Sequence, residues 1–139
     1  MAGTMADESK NKLLLNRLSN PPFTTLEMGL SEANITPDHA TVASDLTTNE
    51  VSVAGYARQA ISGWSAPALT PDFKSRSNAS PVTFVNTGGV DSGTIYCWFW
   101  IDTATGNIVE AGRYALPFVL VATVGTYTTT PYDLLTGDP

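Results

Sequence analysis

Basic residues are scarce in this sequence, which has 7 Lys and Arg against 13 Asp and Glu and a pI near 4.4. Proteins that bind nucleic acids present a basic surface to the phosphates, so this balance argues against a nucleic-acid partner. No apolar run approaches the roughly 20 residues that a membrane-spanning helix needs. The first residues also lack the long apolar centre of a signal peptide. We therefore expect a protein that has no membrane partner and is made without signal-dependent secretion.

The side chains that most often perform catalysis or bind metals are nearly absent, since the chain has one Cys and one His. Cys97 has no partner for an internal disulfide and lies in an apolar strand pattern, where a thiol is inert. His39 lies beside Asp38 in a turn-like context and is interpreted as a surface residue. The chain contains no phosphate-binding glycine loop, catalytic serine motif or paired-cysteine motif. The sequence therefore predicts no enzyme, no cofactor and no metal.

Charged residues make up only 14% of the chain, well below the quarter that is usual for a globular domain. Thr and Ser replace them, with 19 and 11 residues, and 11 Gly and 9 Pro interrupt the chain. Because Thr is β-branched and favours strands, this composition indicates an all-β fold and excludes a helical bundle.

The first twenty residues differ from the rest of the chain. They carry three basic and two acidic residues, a net charge of +1, whereas the remaining 119 carry four basic and eleven acidic residues, a net charge of −7. Leucines at helical spacing predict a short helix over about 5–19, and Asn20-Pro21-Pro22 ends it. We expect an N-terminal arm over residues 1–22 and a β domain over 23–139. The residues expected to contact a partner are Leu13, Leu14 and Leu18 of the arm and Phe23, which follows it.

From residue 23 onward the apolar pattern has a period of two, which is typical of strands. Residues 25–30 place Leu26, Met28 and Leu30 on one face. Residues 31–49 and 65–80 are expected to be long polar loops. The sequence thus predicts an antiparallel β-sandwich of about six to eight strands. The remaining strand patterns lie at 50–56, 58–64, 81–85, 93–101, 107–114, 118–124 and 132–135.

Two of these patterns are joined by residues 103–106 and predict a β-hairpin. Gly106 can supply the positive φ that such a turn needs. Asp102 precedes the turn, and the run from Asp102 to Asn107 also offers oxygen ligands for a calcium ion. This run lacks the acidic density of a calcium loop, so a structural turn is favoured.

The strand at 93–101 is unusually aromatic. Alternation puts Cys97, Phe99 and Ile101 on one face and Tyr96, Trp98 and Trp100 on the other. A two-layer sandwich buries only one face of each sheet, so the second face needs another explanation. It is covered by a helix or loop of this chain, or it forms an interface with another subunit, or it is a platform for sugars.

The run Gly55-Tyr56-Ala57-Arg58-Gln59 carries a resemblance to a known family. The chain resembles a family of small virion proteins of tailed bacteriophages, often labelled tail-fibre or head-decoration proteins, which have a β-sandwich domain. The similarity continues, in order, through about 90 residues, at 24–30, 49–61, 78–84 and 101–112. Within such a fold Tyr56, Arg58 and Gln59 are expected to serve structure, with Arg58 paired to a carboxylate or carbonyls at the edge of the core.

The resemblance implies a non-enzymatic structural protein of the virion, made in the bacterial cytoplasm and located on the capsid. The role we expect is capsid decoration, in which the arm fastens neighbouring major capsid subunits and neighbouring copies of the protein. A tail-fibre or adhesin subunit that contacts the host is the main alternative, and a small carbohydrate-binding module is a further one.

Overall fold

The computed structural model describes residues 25–66, 68–69, 75–123 and 125–135. The predicted arm helix and four of the expected partner contacts, at Leu13, Leu14, Leu18 and Phe23, lie outside these residues. The described residues form antiparallel strands and one short helix, so the predicted all-β class is confirmed. In chain order they are β1 (Leu26–Ser31), α1 (Ala43–Thr47), β2 (Gln59–Ala60), β3 (Ala68–Leu69), β4 (Ser75–Asn78), β5 (Val82–Asn86), β6 (Ile95–Asp102), β7 (Asn107–Phe118), β8 (Gly125–Thr129) and β9 (Tyr132–Leu135).

The described residues fall into two compact units, where the sequence predicts one domain over 23–139. One unit comprises Thr25–Ala60 and Val82–Thr129. It contains a four-stranded sheet in the order β2-β1-β6-β7 and a two-stranded sheet, β5-β8. The other unit takes its described residues from 61–81 and 130–135 and contains the sheet β3-β4-β9.

The four-stranded sheet of the larger unit is apolar on both faces. One face carries the buried cluster of Cys97, Phe99 and Ile101, against which Leu46 of α1 packs. On the other face the register pairs Met28 with Trp100. Residues paired across two strands share a face, so the three predicted strand residues of β1 lie on the Trp100 side and are all buried.

The two sheets of the larger unit are linked by aromatic side chains. Phe84 of β5 is fully buried and stacks on Tyr127 of β8, with 6.4 Å between ring centroids. Tyr127 in turn contacts two rings of β7, Phe118 at 4.5 Å and Tyr114 at 5.8 Å. These contacts place the inner side of β5-β8 against the C-terminal half of β7.

The strand predicted at 50–56 is wrong. Only Glu50 pairs, in a single bridge to Ser31, and a turn follows in which the Tyr56 amide donates to the Val53 carbonyl at 3.1 Å. Gly55 in this turn has φ of +84°, a conformation that breaks a strand. The strand predicted at 58–64 shrinks to the two residues of β2 for a similar reason, because Gly63 also has a positive φ.

Both segments predicted as polar loops contain regular structure. In the first, α1 begins where the Asp45 carboxylate accepts the Val42 amide at 2.9 Å, and it buries Leu46 completely. In the second, Ser75–Asn78 forms β4 between β3 and β9. The polar residues of this strand are paired on both sides, and Arg76 also packs its guanidinium 4.0 Å from the ring centroid of Tyr132 in β9.

The end of the chain also differs from the prediction. The strand predicted at 107–114 continues to Phe118, and the described residues 119–123 of the pattern predicted at 118–124 form no separate strand. The sequence reading missed β8, whose Thr-rich residues alternate between the outer and the inner side of the β5-β8 sheet.

Candidate assembly surface

The aromatic face of β6 is largely covered in the structure. Trp100 is 3% exposed, and Tyr96 and Trp98 are half-buried. The Trp98 ring lies over Gly112 of β7, where a Cβ atom would lie 2.7 Å from the indole. An open aromatic platform for a sugar or a partner needs exposed ring faces, and Trp100 does not present one.

Gly55-Tyr56-Ala57-Arg58-Gln59 forms a hydrogen-bonded bracket at the edge of β1. The Tyr56 hydroxyl accepts the Leu30 amide at 2.9 Å and donates to the Glu50 carboxylate at 2.9 Å. Arg58 binds both oxygens of the same carboxylate, at 2.9 and 2.8 Å. This ion pair is the carboxylate contact that the sequence predicts for Arg58, and it holds the turn against the sheet.

The electrostatics of this bracket follow from its partial burial. Burial raises the pKa of the Tyr56 phenol above its ordinary value of 10.0, so the hydroxyl keeps its proton as a donor. The hydrogen bond to Glu50 raises the pKa of Arg58, which therefore stays charged. Arg58 also lies 5.6 Å from the centroid of the Phe99 ring. Gln59 continues the chain into β2, where it pairs with Met28.

Asp102 organises the predicted hairpin. Its carboxylate accepts hydrogen bonds from the Thr25 hydroxyl, the Ala104 amide and the Thr105 hydroxyl. These hydrogen bonds, above all the one from Thr25, hold the pKa of Asp102 below its ordinary value of 3.8. Gly106 has φ of +74°, as the turn prediction requires. A carboxylate with these partners caps the turn.

His39 and Cys97, the one histidine and the one cysteine, have different surroundings. His39 is exposed in a turn at residues 38–41. Cys97 is fully buried and its thiol lies 3.3 Å from the Ile35 carbonyl oxygen. Burial raises the pKa of this thiol, which keeps it protonated. Within the described residues, no three His, Cys, Asp or Glu side chains are grouped in a way that could hold a metal ion.

Three of the exposed large apolar side chains of the described residues lie in the run Ala-Leu-Pro-Phe-Val-Leu-Val at 115–121, here called the apolar segment. Leu116 is 86% exposed, Val121 is 50% exposed and Val119 is 39% exposed. Val90, on the adjacent chain, is 69% exposed. Exposed apolar runs of this kind mark interaction surfaces in soluble proteins.

A break in strand pairing turns the start of this segment outward. Ile95 pairs with Phe118 and Cys97 pairs with Arg113, so two positions along β6 correspond to five along β7. The extra residues form a bulge, and bulges redirect side chains away from the sheet. This bulge explains why Leu116 points into solvent although it lies within the bounds of β7.

Hydrogen bonds hold the second half of the apolar segment in place. Leu120 is 1% exposed, and its amide and carbonyl both bind Ser92, at 2.9 and 3.0 Å. The buried Asn86 amide donates to the carbonyls of Leu120 and Val90, at 2.9 and 2.8 Å. These contacts place Val90 beside the apolar segment. They also hold the exposed valines in position before any partner binds.

The chain leaves the apolar segment through a tight turn. Thr123 has φ of +68°, which is strained for a β-branched residue, and its amide donates to the Gly88 carbonyl at 2.8 Å. At Gly125 an added Cβ would collide with the backbone of Val121. The segment is therefore built into a constrained loop rather than left loose.

One feature of the sequence indicates this exposed surface, although the prediction of strands did not use it. Seven consecutive apolar residues exceed what one buried face of an edge strand can hold, and Pro117 lies among them. Alternation assigned 118–124 to a strand, and a strand in a sandwich would have buried half of these side chains.

No family model, curated protein or solved structure matches this chain. Among the described residues, no helix has the length and apolar character to cross a membrane.

Proposed function

We propose that this chain is a non-enzymatic structural protein of a bacteriophage particle that decorates the capsid and fastens neighbouring major capsid subunits. The observation that carries the proposal is the apolar segment, an exposed surface that the fold itself holds in one conformation. The resemblance around Gly55-Tyr56-Ala57-Arg58-Gln59 supports the virion assignment, and the bracket formed by these residues supports their structural role.

A pre-ordered apolar surface suits repeated attachment to a shell. Ordering a loop on binding costs conformational entropy. The hydrogen bonds of Leu120 and Asn86 already order this loop in the free protein, so less entropy is lost when it binds. Each Leu or Val side chain buried at a contact contributes about 1.5–3 kcal/mol. A shell presents the same contact many times, so a modest affinity per copy is enough when copies also bind one another.

The proposed fold of the larger unit is a β-sandwich. The aromatic contacts of Tyr127 with Phe118 and Tyr114 join its two sheets, and Phe84 is fully buried at the same place. A β-sandwich of this kind can present both an exposed loop and an N-terminal arm.

Binding to particles tests the proposal. Purified chain is mixed with particles that lack it, and bound protein is measured after sedimentation. We expect the double variant Leu116→Ser with Val121→Ser to lose most of the binding, because it removes the exposed leucine and the more exposed valine of the apolar segment. The matched control is Val42→Ser, which alters another exposed valine, 56% exposed, beside α1.

The proposal fails if the double variant binds particles as well as the parent, or if the parent does not bind. A copy number in virions comparable with that of the major capsid protein supports decoration. A copy number far below it favours the tail-fibre or adhesin alternative.

A further inference from the structure

Thr25, the first described residue, lies at the hairpin end of the four-stranded sheet. The Thr25 carbonyl accepts the Thr103 amide and the Thr103 hydroxyl, both at 3.0 Å. The Thr25 hydroxyl donates to Asp102. Residues 1–24 therefore precede a residue that lies beside the turn at 103–106.

The apolar segment lies at the opposite end of the same sheet. Phe118 pairs with Ile95, the first residue of β6, whereas the hairpin follows Asp102, the last residue of β6. Seven residue steps along a strand correspond to about 23 Å. Thr25 and the apolar segment thus lie at opposite ends of the four-stranded sheet.

The size of the exposed surface limits what can cover it. The exposed fractions of Leu116, Val119, Val121 and Val90 correspond to roughly 400 Å² of apolar surface. A stable interface buries about 800 Å² on each partner, so two copies pairing through this surface alone would not form a stable dimer. A short segment with a few leucine side chains matches the area better.

Charge favours a segment of this chain as the occupant. Residues 1–20 carry a net charge of +1 and contain the leucines at 13–15 and 18, whereas the rest of the chain carries −7. Asp91 lies at the rim of the apolar segment, where its carboxylate accepts the Ala122 amide at 2.7 Å. A slightly basic, leucine-bearing segment therefore complements an apolar surface on an acidic body.

We propose that the apolar segment binds the N-terminal residues 1–24 of a second copy, so that copies join head to tail. This inference rests on the proposed function, because it identifies the receiving surface for the arm that fastens the shell. The contact is heterologous, with different surfaces on the two partners, and such contacts build rings or extended arrays. Neighbours held on a shell have a high effective concentration, which makes a weak contact of this kind sufficient.

Photo-cross-linking of the full chain tests the inference. Leu116 is replaced by p-benzoylphenylalanine, which its 86% exposure can accommodate, and this chain is mixed with heavy-isotope-labelled parent chain at high concentration. After irradiation, mass spectrometry identifies the cross-linked peptides. We expect cross-links from position 116 to residues 1–24 of the heavy copy. The same photoreactive residue at Thr83, exposed on the outer side of β5, is the control and should give no such product.

A second variant separates the contact from folding. Leu14→Ser with Leu18→Ser should lower the cross-linking yield about tenfold, the effect of losing about 1.4 kcal/mol of binding, while the circular dichroism and melting temperature stay those of the parent. Cross-links only within one copy, only to the body, or none at all would overturn the inference. If the chain binds particles but gives no cross-link to residues 1–24, this inference is wrong and the proposed function stands.

Discussion

Elsewhere along β1 a neighbouring strand supplies the hydrogen-bond acceptors for the backbone amides. For the amide of Leu30, the side chain of Tyr56 supplies the acceptor instead. Strand β2 pairs with β1 only at Glu27 and Met28, and the next free amide, that of Leu30, donates to the Tyr56 hydroxyl. An unpaired amide of a buried residue is costly, so this phenol completes the edge of the sheet. The turn at Gly55 is what brings the ring to that position.

Tyr56→Phe should therefore destabilise the protein by about 1–3 kcal/mol, because it leaves the Leu30 amide without its acceptor and removes one donor to Glu50. Urea unfolding followed by fluorescence measures the change as a lower midpoint with an unchanged slope. Tyr132→Phe is the control, since that residue is 47% exposed, and it should stay within about 0.5 kcal/mol of the parent. Equal stability of the Tyr56 variant and the parent would show that the hydroxyl does not support the sheet.

At the scale of the elements, the sequence predicts β1, β6, β7 and the hairpin well because these strands have strong alternation or a clear turn signal. Leu26 and Met28 are buried on one face as predicted, and Gly106 has the predicted positive φ. Alternation alone fails at 50–56, where Gly55 converts a strand pattern into a turn. It also fails for β4, whose polar residues are held by contacts distant in sequence.

The candidate surface could be predicted less well than the fold. The aromatic residues of β6 looked like a partner surface, but Trp100 is buried and shares its face of the sheet with Met28, a pairing that alternation within one strand does not reveal. The exposure of Leu116 depends on a bulge in the pairing of β7 with β6. A register shift depends on how two strands fit together, so it cannot be predicted from the sequence of either strand alone.

Close packing between β1 and β6 gives a test of this register. Gly29 pairs with Phe99, and a Cβ atom at Gly29 would run into the Phe99 ring. Because that ring is fully buried and has no room to move, Gly29→Ala should cost about 1–3 kcal/mol. Thermal or urea unfolding measures the loss.

Gly89→Ala makes the same chemical change where a Cβ atom meets nothing within 4 Å, and it should cause no loss of stability. If the two alanine variants are equally stable, Phe99 does not lie over Gly29 and the register of β1 against β6 is incorrect.

At the scale of the whole molecule, net charge and the apolar segment have opposite effects on association. The chain carries a net charge of −6 at pH 7, so copies repel one another, and this repulsion disappears near the pI of 4.4. The pKa of Asp102 lies below its ordinary value of 3.8. The stability that this carboxylate contributes is present above its unfolded pKa and is lost only as the pH falls through the lower folded pKa, so the hairpin persists at pH 4.4.

Turbidity of the folded protein should therefore rise as the pH falls from 7 towards 4.4, and the apolar segment should cause most of the rise. We expect Leu116→Ser with Val121→Ser to reduce the turbidity near pH 4.4 several-fold, since it removes the most exposed apolar side chains of the segment but none of the charges. Val42→Ser should leave the turbidity unchanged because that valine is isolated beside α1. Equal turbidity of the double variant and the parent would mean that loss of charge alone drives association, and that the apolar segment does not attract other copies.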